Sequence, residues 1–387
     1  MDTSISNNIK YIGVDDLELD LFESQYIIPE GMAYNSYLIN DDKVTIMDSV
    51  DCRKTAEWLN NLEQTLNGKT PDYLVILHCE PDHSSSAVEL LNKYPNCKLV
   101  TSAKALPLLK QFYNHFDFDS RFLEVKENEV LSLGKHTLTF LSAPMVHWPE
   151  VMVAYENSEQ ILFSADAFGK FGALVNETDD WACEARRYYF NICGKYGVQV
   201  QNLIKKLTNL NIQTICPLHG PILKENLDYY LNLYNIWSKY EAETKGVFIA
   251  HATLHGNTAK AAEKLAKTLE QRGVKVAISD LCRCDIAEAI EDAFRYDRMV
   301  LAAPTYDAGI MPKMEDFIAH LQSKGYKNRT VGFIENGSWA PVSGKLMKAK
   351  METLKDITFC NQVVTIKSSL NSNSEAQIIA LADELTR

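Results

Sequence analysis

Tyr73-Leu74-Val75-Ile76-Leu77 runs directly into His78-Cys79-Glu80-Pro81-Asp82-His83. An unbroken apolar run of this length reads as a buried strand. Four side chains able to hold a metal follow it within six positions. Imidazoles and carboxylates mixed at this spacing suit a hard or borderline divalent cation rather than a thiolate site. A plain strand-to-helix loop would need one of them as a helix cap, Asp82 or Ser84, and not four ligands.

Working outward, three later apolar runs each end on a further donor. Thr137–Leu141 leads through Ala143-Pro144-Met145-Val146 to His147, Ile161–Ala165 ends on Asp166, and Ile212–Pro217 leads to His219. All lie past the carboxyl end of a strand, the edge on which α/β proteins assemble their sites. The set His78, Glu80, Asp82, His83, His147, Asp166 and His219 is too large for one tetrahedral zinc. It suits two metals sharing a carboxylate. Two divalent cations against three carboxylates, with a bridging hydroxide, leave no large unpaired charge to bury.

This series, H-x-E-x-D-H followed by a strand-end His, a strand-end Asp and a last His, resembles the ligand set of the metallo-β-lactamase-like fold. Hydrolases of that fold commonly carry His at the second position and bind zinc. Glu80 adds a hard oxygen donor and a negative charge, both of which favour iron. The variant is similar to the flavodiiron proteins. The resemblance implies that His78, Glu80 and His147 hold one iron, that Asp82, His83 and His219 hold the other, and that Asp166 bridges. It also points to Tyr189, in Arg187-Tyr188-Tyr189-Phe190, as lining the pocket and donating a proton or hydrogen bond.

The elements around these donors are expected as strands at Tyr11–Val14, Ser36–Ile39, Lys43–Asp48 and Leu99–Thr101. Helices are expected at Ala56–Leu66, Ser84–Tyr94, Ala105–Tyr113 and Glu225–Glu243. After Lys245 the pattern changes to a steady βα rhythm. Val247–Ala250 leads into Thr253-Leu254-His255-Gly256-Asn257-Thr258 and a helix through Ala262, Leu265 and Leu269. A strand, a loop of hydroxyl, glycine and amide residues and a helix N-terminus make a cradle for a single phosphate. Neither GxGxxG nor GxxxxGK[ST] is present, so a dinucleotide or nucleoside triphosphate is not indicated. Four more strands (Lys275–Ser279, Arg298–Ala302, Thr330–Ile334, Gln362–Ile366) alternate with helices and imply a doubly wound, five-stranded parallel sheet.

Three loops at its carboxyl edge resemble those of flavodoxin and imply FMN. The first is Thr253–Thr258. The second is Pro304-Thr305-Tyr306-Asp307-Ala308-Gly309. The third is Asn336-Gly337-Ser338-Trp339-Ala340, with the Trp339 face available for stacking on the isoalloxazine. The expected organisation is therefore a metallo-β-lactamase-like αββα sandwich over 1–245 and a flavodoxin-like domain over 246–387.

Composition sets bounds. At 46% hydrophobic and 23% charged the 387-residue chain is that of an ordinary two-domain globular protein. The net charge of −12 makes nucleic acid an unsuitable partner. The excess sits before Lys245, at about −13, with about +1 after it. No apolar run approaches the roughly 18 residues of a membrane helix. Met1-Asp2-Thr3-Ser4 shows no signal peptide pattern. Nine scattered cysteines without a CxxC pair indicate a reducing, cytoplasmic setting. They also exclude a fused rubredoxin, so an external donor, rubredoxin or a reductase, is expected.

A diferrous site and a reduced flavin each supply two electrons. Together they match reduction of O2 to water, and equally the coupling of two NO to N2O. The resemblance implies both activities, the oxygen-reducing one more closely, and a head-to-tail homodimer or dimer of dimers. The competing reading is a dinuclear zinc hydrolase with an appended flavodoxin-like module, against which Glu80 stands.

Overall fold

Strand Tyr73–Val75 lies inside a six-stranded sheet ordered Ile9–Tyr11, Tyr37–Ile39, Thr45–Met47, Tyr73–Val75, Lys98–Thr101, Phe122–Glu124. In this computed structural model residues 3–177 and 180–386 are described. By their contacts they divide into two units, Met1–Asn235 and Ile236–Arg387. The first three strands of the sheet pair antiparallel and the rest parallel. Parallel neighbours require crossovers, which helices Thr55–Leu66, Ala87–Lys93 and Ala105–Phe112 supply. Thr55–Leu66 buries Trp58, Leu62 and Leu66, one stripe at four-residue spacing, and stops at Asn67 in the left-handed conformation.

The second sheet is ordered Val130–Ser132, Thr137–Ser142, Met152–Glu156, Ile161–Phe163, Thr214–Cys216, with only the last pair parallel. Helix Gly197–Leu207 makes that crossover and buries Val200, Leu203 and Leu207. The sheets meet through their other faces. Tyr37 packs on Phe163 with ring centroids 5.5 Å apart and donates its hydroxyl to the Pro217 carbonyl at 2.6 Å. The result is an αββα sandwich.

The second unit is a parallel sheet ordered Val276–Asp280, Thr244–His251, Tyr296–Tyr306, Arg329–Asn336, Ile357–Ile366. Helices Asn257–Glu270 and Ser372–Leu385 close one core with Ile249, Val300 and Val364. On the opposite face Phe248 meets Phe317 of helix Pro312–Ser323. Strand order reverses between the first strand in sequence and its two neighbours, which opens a crevice at the carboxyl edge.

The expected strand Tyr11–Val14 is broken. Ile9–Tyr11 joins the large sheet, while Val14–Asp16 pairs separately with Met32–Tyr34. Gly13 lies in the break, where a Cβ would meet the Tyr34 carbonyl at 2.5 Å. The helix expected from Ser84 begins earlier, as the short turn Pro81–Ser84, and resumes at Ala87–Lys93. Pro81 at the first helical position, with its fixed φ and no N–H to satisfy, explains the early start. Helix Leu227–Ser238 is shorter than Glu225–Glu243. No helix among the described residues is long and apolar enough to cross a membrane.

Candidate metal centre and flavin cavity

The ligand loop is held by its neighbours before any ligand is considered. Asp48 Oδ1 accepts from the Leu77 N–H at 2.7 Å, and Ser49 donates to the His83 carbonyl through both its N–H (2.9 Å) and its hydroxyl (2.7 Å). Ser84 closes the turn on the Cys79 carbonyl at 2.8 Å. Pro81 starts the helical turn, so Asp82 and His83 share its first residues and face inward, both buried.

All seven expected donors converge, in two groups: His78, Glu80, His147 and Asp166, and Asp82, His83 and His219. Within each group the donor atoms lie within 4.8 Å of one another. His147 Nε2 is 2.9 Å from Glu80 Oε2, and His78 Nε2 is 3.1 Å from it. Asp82 Oδ2 is 3.3 Å from both His83 Nε2 and His219 Nε2. Asp166, of the first group, also faces the second. Its Oδ2 stands 3.0 Å from His147 Nε2, and its Oδ1 stands 3.1 Å from His83 Nε2.

These atoms are buried and poorly satisfied. Both oxygens of Asp82 and of Asp166, both ring nitrogens of His83, and Nε2 of His219 have no hydrogen-bond partner among the described residues. So many orphaned polar atoms pointing into one space would be strongly destabilising, and divalent cations supply the missing partners. Protons do that task only in part. Burial lowers the pKa of His147, but the Asp166 and Glu80 carboxylates, 3.0 and 2.9 Å from its Nε2, more than reverse this and raise it to about 9. Burial raises the pKa of Asp166, and the His78 and His83 charges carry it well below the usual carboxylate range.

Several residues of the site escaped the sequence. His78 Nδ1 donates to Glu150 Oε1 at 2.9 Å, and His219 Nδ1 donates to the Ala33 carbonyl at 2.8 Å. Asp48, at the carboxyl end of Thr45–Met47, obeys the same edge rule as the ligands and was legible by it. Glu23 sits on the tight turn after Leu21–Phe22. Although the residue as a whole is exposed, burial of its carboxyl beside Glu80, and then the Glu80 charge, push its pKa up to about 7.

Tyr189 lines a small cavity with His147, Asp166, Tyr188, Cys193 and Tyr234. Its ring packs on Phe190 and Tyr234, each at 5.1 Å. Tyr188 packs tilted beside a ligand, 5.6 Å from the His219 ring, and Tyr34 meets the same ring edge-on at 5.9 Å. Burial and the Asp166 charge push the Tyr188 phenol pKa up, so it stays protonated.

In the second unit a cavity of about 540 Å³ opens at the carboxyl edge. That is within the range of small-molecule and cofactor sites, roughly 300–1,000 Å³. All of Thr253–Thr258, Pro304–Gly309 and Asn336–Ala340 line it except Gly256, Tyr306 and Gly309, and Val342 and Ser368 join them. Helix Asn257–Glu270 starts at its floor without a side-chain cap, after Gly256 at φ +81°, so its first N–H groups are available to an anion. Among the described residues no Lys or Arg lines the cavity.

Asn336 ties two loops together, donating to Ser368 O at 3.1 Å and Thr258 Oγ1 at 3.4 Å. The Thr305 hydroxyl is already engaged, accepting from the Val342 and Ser343 N–H groups at 2.9 and 3.1 Å. Trp339 is 91% exposed, an aromatic face with no ring against it among the described residues. Ser368 follows the fifth strand, Ile357–Ile366, and obeys the same carboxyl-edge rule.

Known proteins show the same pairing of domains. Residues 32–220 match the family described as ODP family beta lactamase, and residues 248–358 match the flavodoxin domain. An uncharacterized protein of Methanocaldococcus jannaschii is 32% identical over 82% of this chain and 81% of its own. The anaerobic nitric oxide reductase flavorubredoxin of Escherichia coli is 28% identical over 88% of this chain and 73% of its own. Among solved structures, rubredoxin oxygen:oxidoreductase of Desulfovibrio gigas superposes with a TM-score of 0.92 at 25% identity, covering 100% of this chain and 98% of that one. The flavodiiron protein of Giardia intestinalis shares the fold, with a TM-score of 0.91 at 23% identity over 100% of this chain and 97% of that one. The chain belongs to the flavodiiron proteins, oxidoreductases that work with FMN and a diiron centre.

Proposed function

We propose that this protein takes electrons from an external donor into FMN and delivers them to its diiron centre to reduce O2 to water, with NO reduction to N2O on the same centre. The observation that carries the reading is the pair of donor groups with Asp166 facing both, and with a carboxylate, Glu80, where zinc hydrolases of the fold carry His. His78, Glu80 and His147 would hold one iron, Asp82, His83 and His219 the other, and Asp166 would bridge. When bound, the irons would supply Lewis-acid and redox chemistry to the substrate, and FMN would supply electrons.

The remaining work falls to the protein. Glu150 and the Ala33 carbonyl fix the rings of His78 and His219. Tyr188 and Tyr189, in the cavity beside His147 and Asp166, are the candidates for a hydrogen bond or proton to the substrate. In the second unit the N-terminal amides of Asn257–Glu270 would receive the phosphate, the Thr305–Gly309 and Asn336–Ala340 loops would hold the isoalloxazine, and Trp339 would offer it an aromatic face.

Rubredoxin is the donor class we favour, because the Desulfovibrio gigas and Escherichia coli relatives carry rubredoxin in their names. The domains are proposed as 1–245 and 246–387, since the two family matches end at 220 and begin at 248. Among the described residues no disulfide joins any two of the nine cysteines, which supports a reducing, cytoplasmic setting. A head-to-tail homodimer, or a dimer of dimers, is the assembly the family suggests.

The test is anaerobic reduction of iron- and FMN-loaded protein followed by parallel measurement of O2 and NO consumption. Turnover of O2 in excess of NO is expected. Two bound zinc ions with thioester or phosphodiester cleavage, and no oxygen uptake, would overturn the reading in favour of a hydrolase.

A further inference from the structure

The two donor groups differ in what stands behind their imidazoles. Behind His78 is a carboxylate: Glu150, 3% exposed, with Oε1 2.9 Å from the ring Nδ1. The same oxygen accepts from the Cys79 N–H at 2.9 Å, so Glu150 fixes both the ring and the backbone between the first two ligands. Its other oxygen is buried without a partner among the described residues. Glu150 therefore holds one fixed orientation and brings a full negative charge behind the ring. Behind His219 stands only a neutral acceptor, the Ala33 carbonyl at 2.8 Å. His83 Nδ1 has no partner among the described residues.

A carboxylate behind a ligating imidazole polarises its N–H and strengthens the opposite nitrogen as a donor, and a carbonyl does so less. Glu80 and Asp82 give each group one carboxylate of its own, and Asp166 is shared. Glu23 also crowds Glu80 on the first side, but it meets that carboxylate and not an imidazole; the charge placed behind a ligating ring is the one that Glu150 adds.

We propose that Glu150 is a positioning residue that makes the two metal positions unequal, so that the His78–Glu80–His147 position retains its ion more tightly than the Asp82–His83–His219 position. This rests on the two-metal reading above. It predicts an order of loss, one ion leaving well before the other, and it places the electron-rich iron on the Glu80 side.

The test uses the full chain loaded anaerobically with ferrous iron and FMN, then mixed with excess chelator. The wild-type protein should release one iron per chain in a fast phase and one in a slow phase. Glu150→Gln keeps an acceptor oxygen for His78 but removes the charge. It should accelerate the slow phase by about 10–100-fold, the usual effect of losing such a partner, and leave the fast phase unchanged. Glu150→Asp, which restores the charge, should recover part of the slow phase. In Mössbauer spectra of the diferrous protein, Glu150→Gln should alter one of two iron signals. Release of both wild-type ions in a single phase would overturn the proposal. So would equal acceleration of both phases in Glu150→Gln, together with a lowered unfolding midpoint of its metal-free form, since that would mark a merely structural role. Loading of fewer than two irons per wild-type chain would instead sink the two-metal reading, a separate failure visible before chelation.

Discussion

Glu80 is the residue whose chemistry separates this site from the hydrolases of its fold, and it tests the choice of metal most directly. A carboxylate oxygen favours ferrous iron, whereas imidazole accepts zinc readily. Glu80→His, offered equimolar ferrous iron and zinc without oxygen, should therefore bind a higher proportion of zinc than the wild type by elemental analysis. An unchanged ratio would remove Glu80 from the argument. Asp166 stands within 3.4 Å of three imidazoles and faces both groups, one with each oxygen. Asp166→Asn should lower iron content at normal FMN occupancy, and full iron content with normal O2 uptake would exclude the bridge. Protons compete with the metal for the same nitrogens. With the His147 pKa at about 9 in the metal-free chain, loading at neutral pH must expel a proton there. Iron affinity should rise with pH up to about 9 and fall on acidification, as measured against a competing chelator. The metal-free protein should show the opposite trend. The raised pKa contributes stability that is complete below the unfolded imidazole value of 6.5 and is lost as pH climbs through about 9. The seven donors were legible because they follow the carboxyl ends of four apolar runs. Glu150 was not, because it reaches His78 across 71 intervening positions, and a backbone carbonyl such as Ala33 O leaves no trace in a sequence.

Elements carried most of the legible information where hydrophobic period and turn residues agree. In the second unit every expected strand and helix is present. The third strand is longer than expected, Tyr296–Tyr306, because its ends are polar yet continue to pair. The N-terminal region was harder. Strands of two or three residues hold too few positions for a period to show, and Gly13 divides one expected strand between two sheets. Loop chemistry was legible by position rather than by role. Thr305 belongs to the cavity wall as expected, yet its hydroxyl holds the Val342–Ser343 turn. Trp339 offers a cleaner experiment because its ring touches little else. An aromatic stack contributes about 0.5–1.5 kcal/mol beyond burial, so Trp339→Ala should weaken FMN binding by up to about tenfold in a flavin fluorescence titration. No change would mean that the ring does not cover the flavin.

At the scale of the whole molecule, two units fold around two different cofactor sites, and the charge follows the same division. The acidic excess lies before Lys245, in the part whose carboxylates face the metal positions. Where one unit gives way to the next was less legible. The contact division falls inside helix Leu227–Ser238, after Asn235. Residues just past it bond within the second unit. Trp237 donates to Glu243 at 2.9 Å, and the buried Arg329 donates to the Tyr240 carbonyl at 2.7 Å. Periodicity shows that a helix runs there, but not which core receives its last turn. The division has a thermodynamic consequence, because a ligand stabilises the unit that binds it by RT ln(1 + [L]/Kd), about 2.7 kcal/mol at a hundredfold excess over Kd. For units of this size each kcal/mol moves a midpoint by roughly 2–4 °C. Calorimetry of the metal-free, FMN-free, doubly loaded and doubly stripped forms should therefore show two transitions. Removing iron should lower one of them by roughly 5–10 °C, and removing FMN should lower the other by a similar amount. If either removal shifted both transitions equally, the two sites would be stabilising one cooperative unit, and the assignment of each cofactor to its own domain would lose its energetic basis.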